Sequence, residues 1–460
     1  MEFEKLQEII DKVLELLQEK NFREIKLLIN DLKPQDSALL LEELNEKDIL
    51  PIFRLLSKEN AAETFVEMSY DSQELLLNTF SDAELKAVFD EMFLDDTVDI
   101  IEEMPANVVK RIIKQSDAET RELINQILNY PKDSAGTIMT VEYVSLREHW
   151  TVKECFDRIR KVAVDKETIY SCYVTDEKRK LIGKVTVKSL LLHDYETPLS
   201  EFMETDLISV ETNDDKEFVA QQISKYDLNA LPVVDSENRM VGIVTVDDVL
   251  DVIEQEATED IAIMAAVTPS QDAYMEQSVW QIWKNRIPWL LLLMISATFT
   301  GLIINTFEAN LNALSPLLFA CIPMLMDTGG NAGSQSSVTI IRGLALDEIH
   351  PRDVLKVLWK EIRVSVMLAA CLAVVCFGKL MLIDGLAFGY NYTWDICLVV
   401  SIALFVTIVI AKTVGCLMPM LAKVCKLDPA VVASPFITTI VDALSLIVYC
   451  VIAMNLLSAI

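Results

Sequence analysis

The chain has 460 residues, a mean hydropathy of +0.31 and a formal net charge of −30, so it is both apolar and strongly acidic. That length leaves room for several domains. A phosphate-binding face needs clustered Lys and Arg, so the charge excludes a nucleic-acid partner. Nine Cys with no paired spacing exclude a disulfide-stapled secreted module. The charge is unevenly spread: residues 1–283 hold 29 Lys/Arg against 60 Asp/Glu, whereas 284–460 hold 11 against 10. An acidic, soluble half therefore precedes a nearly neutral, apolar one. The opening MEFEKLQEII has no basic n-region and no apolar h-region, so no cleaved signal is expected.

Residues 1–130 read as helix after helix. Apolar residues recur at three- and four-residue steps in LLLEEL, AAETFVEM, ELKAVFDEM and VDIIEEM, with short polar connectors such as SKEN and SDAE. Short helices in series predict an all-α superhelical domain, without a strict repeat. Near Tyr130 the texture changes to Val/Ile/Thr-rich strands mixed with helices, and this region is duplicated. GKVTVKSLL (183–191) matches GIVTVDDVL (242–250), with Met139-Thr140 opening the first copy and Met203-Glu204 the second. The tandem copies resemble a pair of cystathionine-β-synthase (CBS) domains, here 137–198 and 199–260. The resemblance implies a regulatory unit able to take an adenine nucleotide such as ATP. Thr245 and Asp248 match the family's Thr-x-x-Asp ribose site; the first copy has Thr186 and Ser189 instead.

From Met240 to Trp283 there is no Lys or Arg but there are nine Asp/Glu, seven of them between Asp247 and Asp260. On a helix, Asp248, Asp251, Glu256, Glu259 and Asp260 share or adjoin one face, and Asp95 and Asp99 make an i, i+4 pair upstream. Each uncompensated pair of this kind costs about 0.2–0.5 kcal/mol. A solvated acidic face is one reading of any single pair. For the ensemble, beside so apolar a second half, bound divalent cations are expected. Oxygen-only clusters suit Mg²⁺ or Ca²⁺ and not Zn²⁺.

Five runs beyond Lys284 are long and apolar enough to span a bilayer: 287–307, 309–341, 364–383, 396–422 and 429–460. Basic residues gather before the first run, between the second and third, and between the fourth and fifth. The positive-inside rule then puts the N-terminus in the cytoplasm and the C-terminus outside. Asp442 is the one charge in the last run, placed near mid-bilayer, where an insertion cost of about 2.5–3.5 kcal/mol argues for a pathway role. Asp327 opens DTGGNAGSQSS, read as a polar, Gly-rich break with Asp327, Gly330, Asn331 and Gly333 lining a wet route. Packing of helices through small residues is the rival reading.

YPKDSAGTIMTVEYVSL (130–146), PMLMDTGGNAGSQSS (323–337) and LDPAVVASPFITTIVDALSL (427–446) resemble the MgtE family of magnesium transporters over essentially the whole chain. The resemblance implies a homodimeric plasma-membrane Mg²⁺ channel, set in lipid and closed by Mg²⁺ on its cytoplasmic domains. It implies a helical N-domain at 1–130, a CBS pair at 131–260, a connecting helix at 261–284 and a five-helix transmembrane domain at 285–460. It further implies pore coordination by Asp442 and regulatory coordination by Glu63, Asp95, Asp99, Glu217, Asp227, Asp248, Asp251, Glu256, Glu259 and Asp260. Asp428 would tie the connecting helix to the pore. A carrier coupling divalent cations to protons is the alternative. An enzyme is not expected, because no HExxH, GxSxG or His/Asp pair is present.

Overall fold

The apolar spacing of the first 130 residues becomes a series of short helices in the computed structural model, which describes residues 3–270, 274–275, 277–432 and 434–457. Contacts divide the chain into two units, 1–253 and 254–460. Unit 1 opens with α1 (Phe3–Gln18), α2 (Phe22–Ile29), α3 (Pro34–Glu42), α4 (Glu46–Phe53), α5 (Lys58–Val66), α6 (Tyr70–Thr79), α7 (Asp82–Phe89), α8 (Leu94–Glu103), α9 (Ala106–Gln115) and α10 (Ala118–Ile127). Local chemistry sets their starts. Ser81 and Glu84 form a reciprocal capping box on α7, Ser57 caps α5, and Pro34 opens α3. Helices stack on the neighbour two places along, α3 on α5, α5 on α7 and α7 on α9. Each thereby buries an apolar stripe it could not cover alone. Arg54, the residue that closes α4, reaches Glu84 of α7 at 2.6 Å. That bond, with the Ser81 cap, pulls the Glu84 carboxyl down to about 2.

The duplicated region folds as two three-stranded sheets. The first holds β1 (Ser145–Leu146), β2 (Ser171–Thr175) and β3 (Leu181–Thr186), with α11 (Val152–Val162) and α12 (Val187–Leu192). The second holds β4 (Val210–Glu211), β5 (Ala230–Val234) and β6 (Met240–Thr245), with α13 (Lys216–Tyr226) and α14 (Val246–Met264). In each the first pair is parallel and the second antiparallel. One expectation is corrected here. Thr140 pairs with Ile243 in the second copy through two bonds of 2.8 and 2.9 Å, and Glu204 pairs with Lys184 in the first. The opening segments are therefore exchanged between copies. Glycine is required where they cross, because a Cβ on Gly242 would lie 2.6 Å from the Thr140 carbonyl oxygen.

The connecting stretch differs from a single helix over 261–284. Helix α14 ends at Met264, Ala266 turns left-handed at φ 54°, and the next helix starts at Val279. Residues 271–273 and 276 of that stretch lie outside the described residues.

Unit 2 contains α15 (Val279–Leu314), the short α16 (Pro316–Ala320), α17 (Ile322–Ala345), α18 (Val354–Gly378), α19 (Trp394–Val424) and α20 (Ser434–Leu457). Four segments among the described residues are long and apolar enough to cross a membrane: Val279–Leu314, Pro351–Ala387, Trp394–Val424 and Pro429–Leu457. Helix α17 falls outside that set because DTGGNAGSQSS dilutes its hydropathy. The run from 309 also divides, since its first residues complete α15.

The expected break at Asp327 is absent: α17 is continuous from Ile322 to Ala345. Its glycines serve packing, because they let α19 and α20 approach where a side chain would hold them apart. A Cβ on Gly415 of α19 would sit 2.2 Å from the Gly333 carbonyl oxygen. Backbone cannot yield there, so Gly415→Ala should cost about 1–3 kcal/mol through overpacking. Thermal unfolding of the purified full-length protein should show a clearly lowered midpoint. An unchanged midpoint would mean that α17 and α19 do not meet this closely.

Candidate functional site

Two places in the fold collect carboxylates, one in each unit. In unit 1, α8 starts at Leu94 without a side-chain cap and sets Asp95 and Asp96 in its first turn, where the helix dipole favours negative charge. Asp95 is buried, and its Oδ1 has no hydrogen-bond partner among the described residues. Burial pushes its carboxyl well above the usual range, and neighbouring Asp248, Asp96 and Glu167 push it further. Asp96 is raised to about 7 by burial and by Asp248, Glu67, Asp247 and Glu142. Glu167 is raised to about 7 by burial and by Asp248, Asp247, Asp96 and Glu142, and its Oε2 likewise lacks a partner among the described residues. Asp248 is raised by burial although Thr245 donates a hydrogen bond to it. The neighbouring charges that raise Asp95, Asp96 and Glu167 most are carboxylates.

Of the expected ligands, the fold brings Asp95 and Asp248 into this cluster. It adds Asp96, Glu142, Glu167 and Asp247, which sequence reasoning missed. Asp96 was adjacent to a residue already singled out. Glu142 and Glu167 come from separate loops joined by the Glu167 N–H to the Glu142 carbonyl at 3.0 Å, and no sequence spacing signals that. Glu63 and Asp96 line a neighbouring cleft of about 750 Å³ together with Glu59, Asp90, Glu91 and Glu142. Asp99 is exposed one turn beyond Asp95. Glu217 lies in the first turn of α13, accepting from Gln221 at 3.2 Å, and Asp227 closes that helix in a left-handed conformation. Asp251, Glu256, Glu259 and Asp260 follow along α14. No three such groups among the described residues already converge on a metal position. The donor set is nevertheless all oxygen, with orphaned buried atoms. That suits a hard cation holding part of its water shell.

In unit 2, α17 and α20 present carboxylates to one cavity of about 530 Å³, lined by Ile304, Phe319, Ile322, Pro323, Met326, Asp327, Gly330, Asn331, Thr438 and Asp442. Asp442 is half-buried, and its Oδ1 lies 3.7 Å from where a Cβ on Gly330 would stand. A larger residue at 330 would crowd that carboxylate. Asp327, Gly330, Asn331 and Asp442 are thus brought together as expected. Gly333 is not: it lies against Ile437 and Ala411. Asp428 accepts the Ala430 N–H at 2.8 Å and so caps the turn before α20. Ile263 and Met264, at the end of α14, pack on Ile341 and on that Ala430.

The fold and these sites define a class, a divalent cation transporter that carries a CBS pair. A model described as divalent cation transporter matches residues 322–452, the MgtE intracellular N domain matches 32–133, and CBS domains match 135–196 and 199–255. A magnesium transporter MgtE of Thermus thermophilus is 36% identical over 97% of this chain and 98% of its own. That of Bacillus subtilis is 31% identical over 96% of each. The chain belongs to the MgtE family of magnesium transporters. Among solved structures, the cytosolic domain of the Mg²⁺ channel MgtE in complex with ATP is 38% identical with a TM-score of 0.51. It covers 53% of this chain and 99% of that one.

The acidic cluster makes a pH-dependent statement. An ordinary carboxyl in an unfolded chain releases its proton near pH 4, whereas Asp96 and Glu167 hold theirs to about 7. Between those values the folded state binds more protons, so the cluster's contribution to stability falls as pH rises from about 4 to about 7. A divalent cation offsets the loss only once the groups are ionised. Magnesium chloride should therefore raise the melting temperature of the full-length protein more at about pH 8 than at about pH 5, relative to EDTA. Equal shifts at both pH values would contradict the cluster as the binding site.

Proposed function

We propose that this chain forms a homodimeric Mg²⁺ channel of the plasma membrane, closed by Mg²⁺ bound to its N-domain and CBS pair. The observation that carries the reading is the α17–α20 cavity, where Asp327, Asn331 and Asp442 meet among mostly apolar lining residues. Unpaired carboxylates are expensive at membrane depth unless they face water or a cation. Mg²⁺ dehydrates reluctantly and keeps several waters. One half-buried Asp per subunit, acting through water, makes a weak site from which the ion can leave. Helix α17 counts as the fifth span in this reading, shielded by its neighbours despite its polar stretch. Five spans put the N-terminus in the cytoplasm and the C-terminus outside, in keeping with the basic connectors.

Regulation follows from charge. At low Mg²⁺ the superhelical N-domain and the CBS pair repel one another through Asp95, Asp96, Glu167 and Asp248, with Glu63 and Asp99 beside them. Cytosolic Mg²⁺ bridges these groups, and Glu217, Asp227, Asp251, Glu256, Glu259 and Asp260 supply further oxygens for it. Helix α14 carries Asp248 in its first turn and Ile263 and Met264 in its last, beside the Asp428 turn. It is the element through which occupancy reaches the pore. ATP is a second ligand for the CBS pair, with Thr245 and Asp248 as its ribose contacts.

Reconstituted Asp442→Ala protein should fold and lose Mg²⁺ uptake, since the side chain faces the cavity. Wild-type uptake by the folded variant would remove Asp442 from the pathway. Asp96→Asn with Glu167→Gln should do the opposite and keep the channel conducting when Mg²⁺ on the N-domain side is high. Normal closure in that double variant would place the sensor elsewhere.

A further inference from the structure

Lys412 and Glu361 are ionisable groups inside the helix bundle that the pathway does not use. The Lys412 side chain is 6% exposed and that of Glu361 15%, with Nζ and Oε2 3.8 Å apart. Between them stands Ser336 of α17, whose hydroxyl donates to Glu361 Oε2 at 2.7 Å and accepts from Lys412 Nζ at 3.0 Å. One serine thus joins α17 to a carboxylate on α18 and an ammonium on α19.

Ser336 follows Asp327 by about two and a half turns at ~3.6 residues per turn, which puts it on the opposite side of the helix. Burial agrees, since Ser336 is covered whereas Asp327 and Asn331 remain open on the cavity face. We propose that Lys412 and Glu361 form an ionic anchor on the rear of α17 that positions Asn331 and Asp327 in the ion route and thereby tunes cation selectivity. The proposal rests on reading the α17–α20 cavity as that route.

Adhesion alone does not account for two buried charges. Desolvating an ion pair costs more than packing apolar side chains of the same volume, and such replacements are often neutral or stabilising. What the pair adds is direction. The neighbouring Gly333–Gly415 contact sets how closely α17 and α19 approach. The hydrogen bonds through Ser336 set the rotation of α17, because a slip of one residue turns its hydroxyl about 100° away from both partners. Lys412 and Glu361 are therefore positioning residues, acting on the route through α17.

The test uses full-length protein in proteoliposomes with Glu361→Leu/Lys412→Met, which removes both charges together, and Glu361→Gln, which keeps shape and drops one charge. The readouts are initial Mg²⁺ influx, the Mg²⁺:Ca²⁺ influx ratio and melting temperature. A fourth is the rate at which a membrane-impermeant methanethiosulfonate modifies Asn331→Cys in a Cys371→Ser/Cys425→Ser background. The anchor predicts a near-normal melting temperature for the double variant, with the influx ratio changed about tenfold, the scale of coupling between groups in one network. Glu361→Gln should fall between it and wild type, and the modification rate should change in both. Unchanged ratio and unchanged modification in either folded variant would reduce the pair to packing and overturn the proposal. Because the thiol readout needs no transport, it judges the anchor even if the wild type fails to conduct Mg²⁺. That failure would instead overturn the proposed function.

Discussion

Carboxylates gathered with no cationic partner among the described residues are the constraint on which unit 1 depends. Asp95 is buried and Asp96, Glu167 and Asp248 are half-buried beside it, with burial acting first on each. In a medium of low effective dielectric that arrangement is unfavourable while the groups are ionised. The fold can hold them as protonated acids, or a cation can hold them as anions. Asp96 and Glu167 are raised to about 7, so near neutral pH the first arrangement gives way and a cation would offset the repulsion. No converged cage exists among the described residues, so a cation bound here would keep part of its own water. Such a site is weak by construction, because the domains must be ordered from the same binding energy.

Unit 2 handles its charges differently. Lys412 and Glu361 are matched through Ser336 on the rear of α17. On the front of the same helix Asp327 has Asp442 across the cavity and no cation beside it among the lining residues. Charges are matched on one side of the helix and left facing the cavity on the other. Glycines make the arrangement possible, since Gly333 and Gly415 bring backbones together and Gly330 leaves room for the Asp442 carboxylate.

Much of this was legible in the residues. The helical series, the duplicated strand–helix motif and the apolar runs all follow from periodicity. Asp442 stood out because nothing else in its run is charged, and Asp95 because Asp99 lies one turn away. Glu142 and Glu167 were not legible, since the fold alone joins their loops. The exchange of Met139-Thr140 and Met203-Glu204 between copies was hidden for the same reason, although Gly183 and Gly242 mark where the exchanged backbones pass. DTGGNAGSQSS was misread as a break because glycine lowers helix propensity, and close packing against α19 outweighed that preference. The single connecting helix over 261–284 is what the family resemblance implies; α14 instead ends at Met264, just before the left-handed Ala266.

The central claim is that Mg²⁺ bridges the acidic cluster and so closes the pore, and ionic strength separates bridging from screening. Conductance of the full-length protein in a planar bilayer is measured while the N-domain side receives Mg²⁺, or Na⁺ at equal ionic strength. The account predicts that Mg²⁺ suppresses opening in the millimolar range and that Na⁺ leaves it unaffected. Equal suppression by the two salts would mean that the cluster is a screened acidic surface and not a sensor.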